Sequence, residues 1–144
     1  MKIQPYCRKV QYYETDQMGV VHHSNYIRWF EEARTEFLQQ IGYAYYKLEQ
    51  EGILTPIIGI SCKYKKPVRF GEEISVTVYI KDYNGVIITF AYEVREPLSD
   101  VLRATGETKL VFTGPDASTM IRLKQHNMPL HELLLQHMAD QSES

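Results

Sequence analysis

Residues 14–38 read ETDQMGVVHHSNYIRWFEEARTEFL, and this stretch decides the fold. Its second half carries a helical period. Tyr26, Phe30, Ala33, Phe37 and Ile41 recur at three or four residues, and Ile27, Trp29 and Leu38 widen the stripe. Arg28, Glu31, Glu32, Arg34 and Gln39 fall mostly outside it. Ser24 and Asn25 are good N-cap residues, and Gly42 supplies a C-terminal stop. The spacing predicts a helix over Asn25–Ile41, roughly 25 Å long at ~1.5 Å rise per residue. So wide an apolar stripe belongs deep against a sheet.

Upstream, Ile3 to Tyr13 is rich in Tyr and Val and reads as a strand. Its alternation would put Tyr12, Glu14 and Asp16 on one face. Residues 14–19 have turn character. Downstream, Tyr43 to Gly52 reads as a short helical turn and loop, and Ile57 to Tyr64 as an extended apolar segment. The period then becomes two. Ile74, Val76, Val78 and Ile80 alternate with Ser75, Thr77, Tyr79 and Lys81, so this strand buries one face. Asn84-Gly85 predicts a type I′ hairpin, whose two central residues both need positive φ. Val86, Ile88, Phe90, Tyr92 and Val94 form the return strand. Pro97, Ser99 and Asp100 mark another turn. Leu102, Ala104, Thr108, Leu110 and Phe112 continue the meander, with a bulge expected at Gly106. Gly114 and Pro115 end it. Pro129 to Leu135 predicts a short helix whose Leu130, Leu133 and Leu134 pack internally or at an assembly contact. Gln141 to Ser144 reads as a frayed tail. Strand, long helix and antiparallel meander make an α+β layout, one helix on one curved sheet.

The chain of 144 residues fits one domain. At 44% hydrophobic and 24% charged it has ordinary globular composition. Its formal charge of −2 lacks the basic excess of a general nucleic-acid binder, so no nucleic-acid partner is expected. No apolar run approaches the ~18 residues of a membrane span, and MKIQPYCRKV lacks the apolar core of a secretory signal. Cys7 and Cys62 are too few for a disulfide framework. They read as reduced thiols, buried as small hydrophobes, in a cytoplasmic protein. Eleven tyrosines, each an apolar ring with a wet tip, hint at assembly.

Chemistry concentrates where the carboxylates of residues 14–16 precede the helix start. A helix N-terminus offers unpaired N–H groups and positive potential, which can hold an oxygen that becomes negative during attack. A nearby carboxylate can act as base or nucleophile. The adjacent His22 and His23 point apart in a helix or a strand, so they do not chelate one ion. His126, His131 and His137 miss the helical ligand spacing, and no metal or cofactor is expected. Lys63, Lys65, Lys66 and Arg69 form a basic cluster, suited either to phosphates at a pocket mouth or to a solvated strand edge.

The string in residues 14–38 resembles the signature of the hot-dog-fold acyl-CoA thioesterases. It is similar to the 4-hydroxybenzoyl-CoA thioesterase family and its branch associated with the Tol–Pal system. LTPIIGISCKYKKPVRFGEEISV (residues 54–76) and the meander through Phe112 follow the same family order; the final ~30 residues lack a clear counterpart. The resemblance implies a hot-dog fold, a curved antiparallel sheet wrapped around one long central helix. It implies one domain over residues 1–144, with a core of about 1–115 and a C-terminal helical extension of about 116–144. It implies hydrolysis of an acyl-CoA thioester to a carboxylic acid and free CoA without a cofactor. The family's catalytic aspartate falls on Asp16, as general base or nucleophile, its loop histidine on His23, and a tyrosine implicated in one branch on Tyr12. Val21, Asn25, Lys65, Lys66 and Arg69 are the expected substrate-binding residues. The branch often has Asp where Glu14 stands and Tyr where His22 stands, two departures that could alter which acyl group fits. The family also implies a homodimer or homotetramer with sites at subunit interfaces. The rival readings are an acyl-carrier-protein thioesterase or other hot-dog enzyme, and a non-catalytic module that binds acyl thioesters.

Overall fold

Period-two segments become strands where their apolar residues share one side, and the long helix covers that side. The computed structural model describes residues 3–142. Five strands form one antiparallel sheet: β1 (Tyr6–Lys9), β2 (Ile57–Tyr64), β3 (Glu73–Tyr83), β4 (Ile87–Arg95) and β5 (Leu102–Val111), in the order β1-β3-β4-β5-β2. The register sets Val76 opposite Val94, Val78 opposite Tyr92 and Ile80 opposite Phe90, so the buried residues of β3 and β4 line one face. Helix α1 (Ser24–Gln40) lies on that face. Its Phe30 stacks on Tyr92 with ring centroids 4.3 Å apart, and Phe37 meets Phe90 edge-on at 5.7 Å. Each large side chain so buried contributes about 1.5–3 kcal/mol.

Gly106 is where the helix comes closest. It sits in regular register between Cys62 and Tyr92, so the expected bulge is absent there. A Cβ at Gly106 would lie 2.4 Å from Phe30 Cε2 and 2.8 Å from the Ser61 carbonyl oxygen. The glycine serves close approach instead. The register shifts fall at Ile57/Gly59, Ile80/Asp82 and Val94/Arg95.

Several local expectations are corrected. The first strand is only Tyr6–Lys9, and Tyr12–Glu14 forms a 3₁₀ turn. Tyr12 and Glu14 therefore share no strand face: Tyr12 is exposed and Glu14 buried. Helix α1 begins at Ser24 with His23 in the cap position, already helical and without a side-chain cap. Arg34 lies inside the buried stripe, where Nη1 donates to Tyr92 Oη at 3.1 Å. Asn84-Gly85 does not make a type I′ turn, because only Gly85 has positive φ. Asn84 N donates to Ile87 O, which puts Gly85 first in a two-residue loop, and the Asn84 side chain accepts from Val86 and Ile87 N–H. Cys7 is exposed and Cys62 half-buried, so neither fills the fully buried role expected of it; both are free thiols.

The chain after the sheet forms α3 (Leu123–His126) and α4 (Met128–Ser142), and α2 (Tyr45–Gln50) packs nearby. Helix α4 is twice the length expected from Pro129–Leu135, and Leu130 and Leu134 bury against the core. Asn127 accepts the Leu130 N–H through Oδ1 while its amide nitrogen donates to Tyr43 Oη and Glu51. Gln141, expected to fray, accepts from Ile80 N and donates to Ile80 O, on the edge of β3 beyond the reach of β1, which pairs only as far as Val76. Residues 143 and 144 of the expected tail lie outside the described range. Among the described residues no helix is long and apolar enough to cross a membrane.

Candidate active site

The loop before α1 is held from below by Glu14. Its Oε1 accepts from Arg8 Nη2 at 2.9 Å and from the Gln11 N–H at 2.8 Å, and its Oε2 accepts from Trp29 Nε1 at 2.9 Å. The Glu14 carbonyl accepts from His22 N at 2.8 Å and Asn25 Nδ2 at 2.9 Å. One residue thus ties together β1, the turn and the first turns of α1. Glu14 anchors the loop. Asn25, expected to bind substrate, is buried and clamps the same loop.

Residues 15–21 fold back on themselves. Asp16 N donates to Val20 O at 2.9 Å, Gly19 N donates to Asp16 O at 3.0 Å, and Gly19 takes φ of +77°. Val21 N donates to Val68 O at 2.7 Å, docking the loop on the segment after β2. This closure leaves the Asp16 carboxylate at the mouth of a pocket. Its Oδ1 accepts the Met18 N–H at 2.8 Å, and Asp16 makes no ion pair among the described residues.

The pocket is about 340 Å³. It brings together five residues singled out from the sequence: Asp16, Val21, His23, Lys65 and Lys66. His23 stands at the start of α1, its ring 4.0 Å from that of His22. The carbonyl of His23 accepts from Tyr26 N and Tyr64 Oη, both at 3.3 Å, while its own N–H meets no acceptor among the described residues. His22 turns back to the helix start, where its Nδ1 meets Ser24 N at 3.3 Å and Ser24 Oγ at 2.9 Å. His23, with an unpaired amide at a helix N-terminus, and Asp16, with one unpaired carboxylate oxygen, therefore line one cavity. Such a pair can polarise a carbonyl and deliver or activate a nucleophile.

Tyr12 and Arg69 stand outside this lining. The Tyr12 ring is exposed and meets Phe70 edge-on at 5.6 Å. Arg69 bridges to Val20 through its backbone, and its side chain is exposed. Lys65 and Lys66 are exposed and make no ion pair among the described residues. Arg103 fixes their backbone: its carbonyl accepts from Lys65 N and Lys66 N, and its Nη1 donates to Pro67 O at 2.8 Å and pairs with Glu72 at 2.9 Å.

Sequence reading missed Tyr26 and Tyr64 as lining residues. Tyr26 sits in the helical stripe and reads as core, and Tyr64 ends a strand. Their rings meet edge-on at 5.0 Å. Burial pushes the Tyr26 phenol up to about 12, so it stays protonated. Tyr64 is likewise raised to about 12, by burial and the neighbouring Cys62 thiol. Among the described residues no three His, Cys, Asp or Glu side chains converge as metal ligands.

Residues 10–129 match the family described as the Thioesterase-like superfamily. YneP of Bacillus subtilis strain 168, provisionally named an acyl-CoA thioesterase, is 40% identical over 99 residues, 68% of this chain and 72% of its own length. A protein of Aquifex aeolicus, provisionally named an esterase, is 40% identical over 104 residues, 72% of this chain and 80% of its own. The solved DHNA-CoA thioesterase of Staphylococcus aureus superposes with a TM-score of 0.91 at 30% identity, covering 96% of this chain and 93% of that one. Coverage that complete takes in the C-terminal helices, which do have a structural counterpart. The sheet wrapped on one long helix is the hot-dog fold of these thioesterases.

Proposed function

This chain belongs to the thioesterase-like superfamily, and from that premise we propose that it hydrolyses acyl-CoA thioesters to a carboxylic acid and free CoA. The observation that carries the reading is that Asp16 and His23, whose amide is unpaired, line one pocket. In the proposed reaction Asp16 takes a proton from water as the water oxygen bonds to the thioester carbon. The carbonyl π pair moves onto oxygen, to which the His23 N–H at the α1 start donates a hydrogen bond. The carbonyl re-forms, the C–S bond breaks, and CoA leaves with the electron pair as a thiolate that takes the proton from Asp16, giving free CoA and restoring the carboxylate. A carboxylate this accessible also suits direct attack on the carbon, with water then cleaving the anhydride; we favour the base role. The His23 ring would orient the thioester, and Tyr12 would take part only by reaching the pocket from its exposed turn. Val21 would contact the acyl group, and Asn25 would act through the loop it clamps.

Lys65 and Lys66 on the rim, with Arg69 nearby, would meet the phosphates of CoA. YneP and the Staphylococcus protein, each named for a CoA thioester, support that substrate class. The motif in residues 14–38 supports placement in the 4-hydroxybenzoyl-CoA thioesterase branch. We further propose a homodimer or homotetramer with pockets at the subunit interface. The support is β2, an edge strand next to the pocket that exposes Ile57, Ile58, Ile60 and Tyr64. An apolar edge of that length is a pairing template, and a second copy would cover it and wall the pocket. The reading also keeps the chain as one domain, with residues 116–144 as an extension docked on the core, working in the cytoplasm.

The test is thiol release from a panel of acyl-CoAs by the purified protein, with its mass in solution measured alongside. Asp16→Asn should lose about 10²–10⁴-fold in kcat while keeping its melting temperature. Hydrolysis by that variant at the parent rate would remove Asp16 from the mechanism.

A further inference from the structure

The hydroxyl of Tyr26 is a buried polar group that the fold does not use. Tyr26 is 3% exposed, packed between the rings of Trp29 and Tyr64 at centroid distances of 4.9 and 5.0 Å. Its Oη makes no hydrogen bond to any described residue, although Tyr64 beside it finds the His23 carbonyl and Tyr92 finds Thr108. Buried hydroxyls are almost always paired, and an unpaired one calls for a reason. The hydroxyl is also not sealed in. Among the described residues the one side-chain polar atom both shut off from solvent and unpaired is Arg103 Nε. Tyr26 is one of the residues lining the pocket of Asp16 and His23, and the charged groups acting on its phenol are Arg103 and Glu72.

We infer that Tyr26 is a substrate-contacting residue, its hydroxyl donating a hydrogen bond to the thioester carbonyl oxygen beside the His23 N–H. The inference deepens the proposed hydrolysis and rests on that reading. Three features support it. Tyr26 lies in the first turn of α1, and side chains on a helix lean back toward its N-terminus, here the end that carries His23. Its phenol is held protonated, raised to about 12 by burial, so it is a donor throughout the working pH range and not a proton acceptor. Finally, the surrounding aromatic rings hold the phenol in place, so little reorganisation is needed as charge builds on the carbonyl oxygen. The site then has two donors from different chemistry, one backbone amide and one phenol, on the same oxygen.

The test is Tyr26→Phe, which keeps the ring and its packing and deletes only the oxygen. A hydroxyl with a purely structural role would leave kinetics unchanged. One paired to substrate predicts a fall in kcat of about 10²-fold, the usual cost of one oxyanion donor, with KM changed less than threefold. Because the deleted oxygen has no partner in the free protein, the melting temperature should hold or rise. Tyr26→Leu serves as the packing control and should lower both stability and rate. Parent kinetics in Tyr26→Phe would overturn the inference while leaving the hydrolase reading intact. A rise in KM with kcat unchanged would also overturn it, by moving the contact away from the reacting carbon. If the parent protein releases no thiol from any acyl-CoA, the hydrolase reading itself falls first.

Discussion

Gly106→Ala gives the sharpest test of how the helix is seated. In a strand, alanine ordinarily stabilises relative to glycine by about 0.5–1 kcal/mol, because glycine loses more backbone freedom on folding. Here the sign should invert. The added Cβ would stand 2.4 and 2.6 Å from two ring carbons of Phe30 and 2.8 Å from the Ser61 carbonyl oxygen. Carbon atoms pack best at about 3.5–4.0 Å, so the ring side alone is short by about 1 Å. Phe30 has no room to turn away, since it is fully buried and stacked on Tyr92 with planes 8° apart. The displacement must go into α1 or into the β2–β5 pairing. Over-packing of this kind costs about 1–3 kcal/mol, and with both neighbours fixed we expect the upper end. At about 2–4 °C per kcal/mol for a chain of this size, the melting temperature should drop by about 6–12 °C. Circular dichroism melts of the parent and variant read this directly. Combining Gly106→Ala with Phe30→Leu should cost less than the two changes added, by about 1 kcal/mol or more, because the second change removes the obstructing ring. A melting temperature for Gly106→Ala equal to or above the parent's would refute the seating of α1 on β5.

The remaining predictions separate scaffold from chemistry. Glu14→Gln puts an amide against the donors of Arg8, Gln11 and Trp29 and should destabilise by about 3 kcal/mol, the low end for breaking a buried pair because Arg8 retains Glu32. Unlike Asp16→Asn, it should lower melting temperature and rate together, and a rate loss at unchanged stability would argue against an anchoring role. Charge reversal of Lys65 and Lys66 should raise KM for CoA esters more than for small thioesters lacking the phosphates; equal effects would assign the two lysines to a solvated edge. His137 packs edge-on against Phe37 at 4.7 Å, and burial pulls its imidazole below the usual 6.5. The unfolded chain then binds the proton more tightly than the native state, so stability should fall as pH drops through about 6.5 and His137→Leu should flatten that part of the profile. A variant whose melting temperature tracks the parent's over pH 5–7.5 would exclude the effect.

The pocket arises because three segments far apart in sequence converge: the loop of residues 15–21, the first turn of α1 and the run after β2. Arg103, on β5, holds the last of these through backbone contacts to Lys65, Lys66 and Pro67. None of those contacts involves a cation of the rim itself. The lysines thus stay available at the mouth while the segment carrying them is fixed, an arrangement suited to meeting a charged ligand without rebuilding the wall.

Local pattern determined the long amphipathic helix, the alternating strands of the meander, the Ile57–Tyr64 segment and the turn at Gly42, whose φ is +99°. Each of these depends on periodicity or on a backbone preference within a few neighbours, and such information is written in the chain itself. The motif of residues 14–38 likewise singled out Asp16 and His23, which share the pocket. What only tertiary structure decided were features set by distant partners. Glu14 becomes an anchor because Arg8 and Trp29 donate to it from β1 and α1. Gly106 avoids a clash with a helix some seventy residues away rather than bending its strand. Gln141 is tied to the backbone of Ile80, on the edge of β3 that β1 leaves uncovered. Tyr26, one apolar-looking member of a helical stripe, turns out to line the pocket and to carry an unpaired hydroxyl, because whether a polar atom finds a partner depends on everything that packs around it.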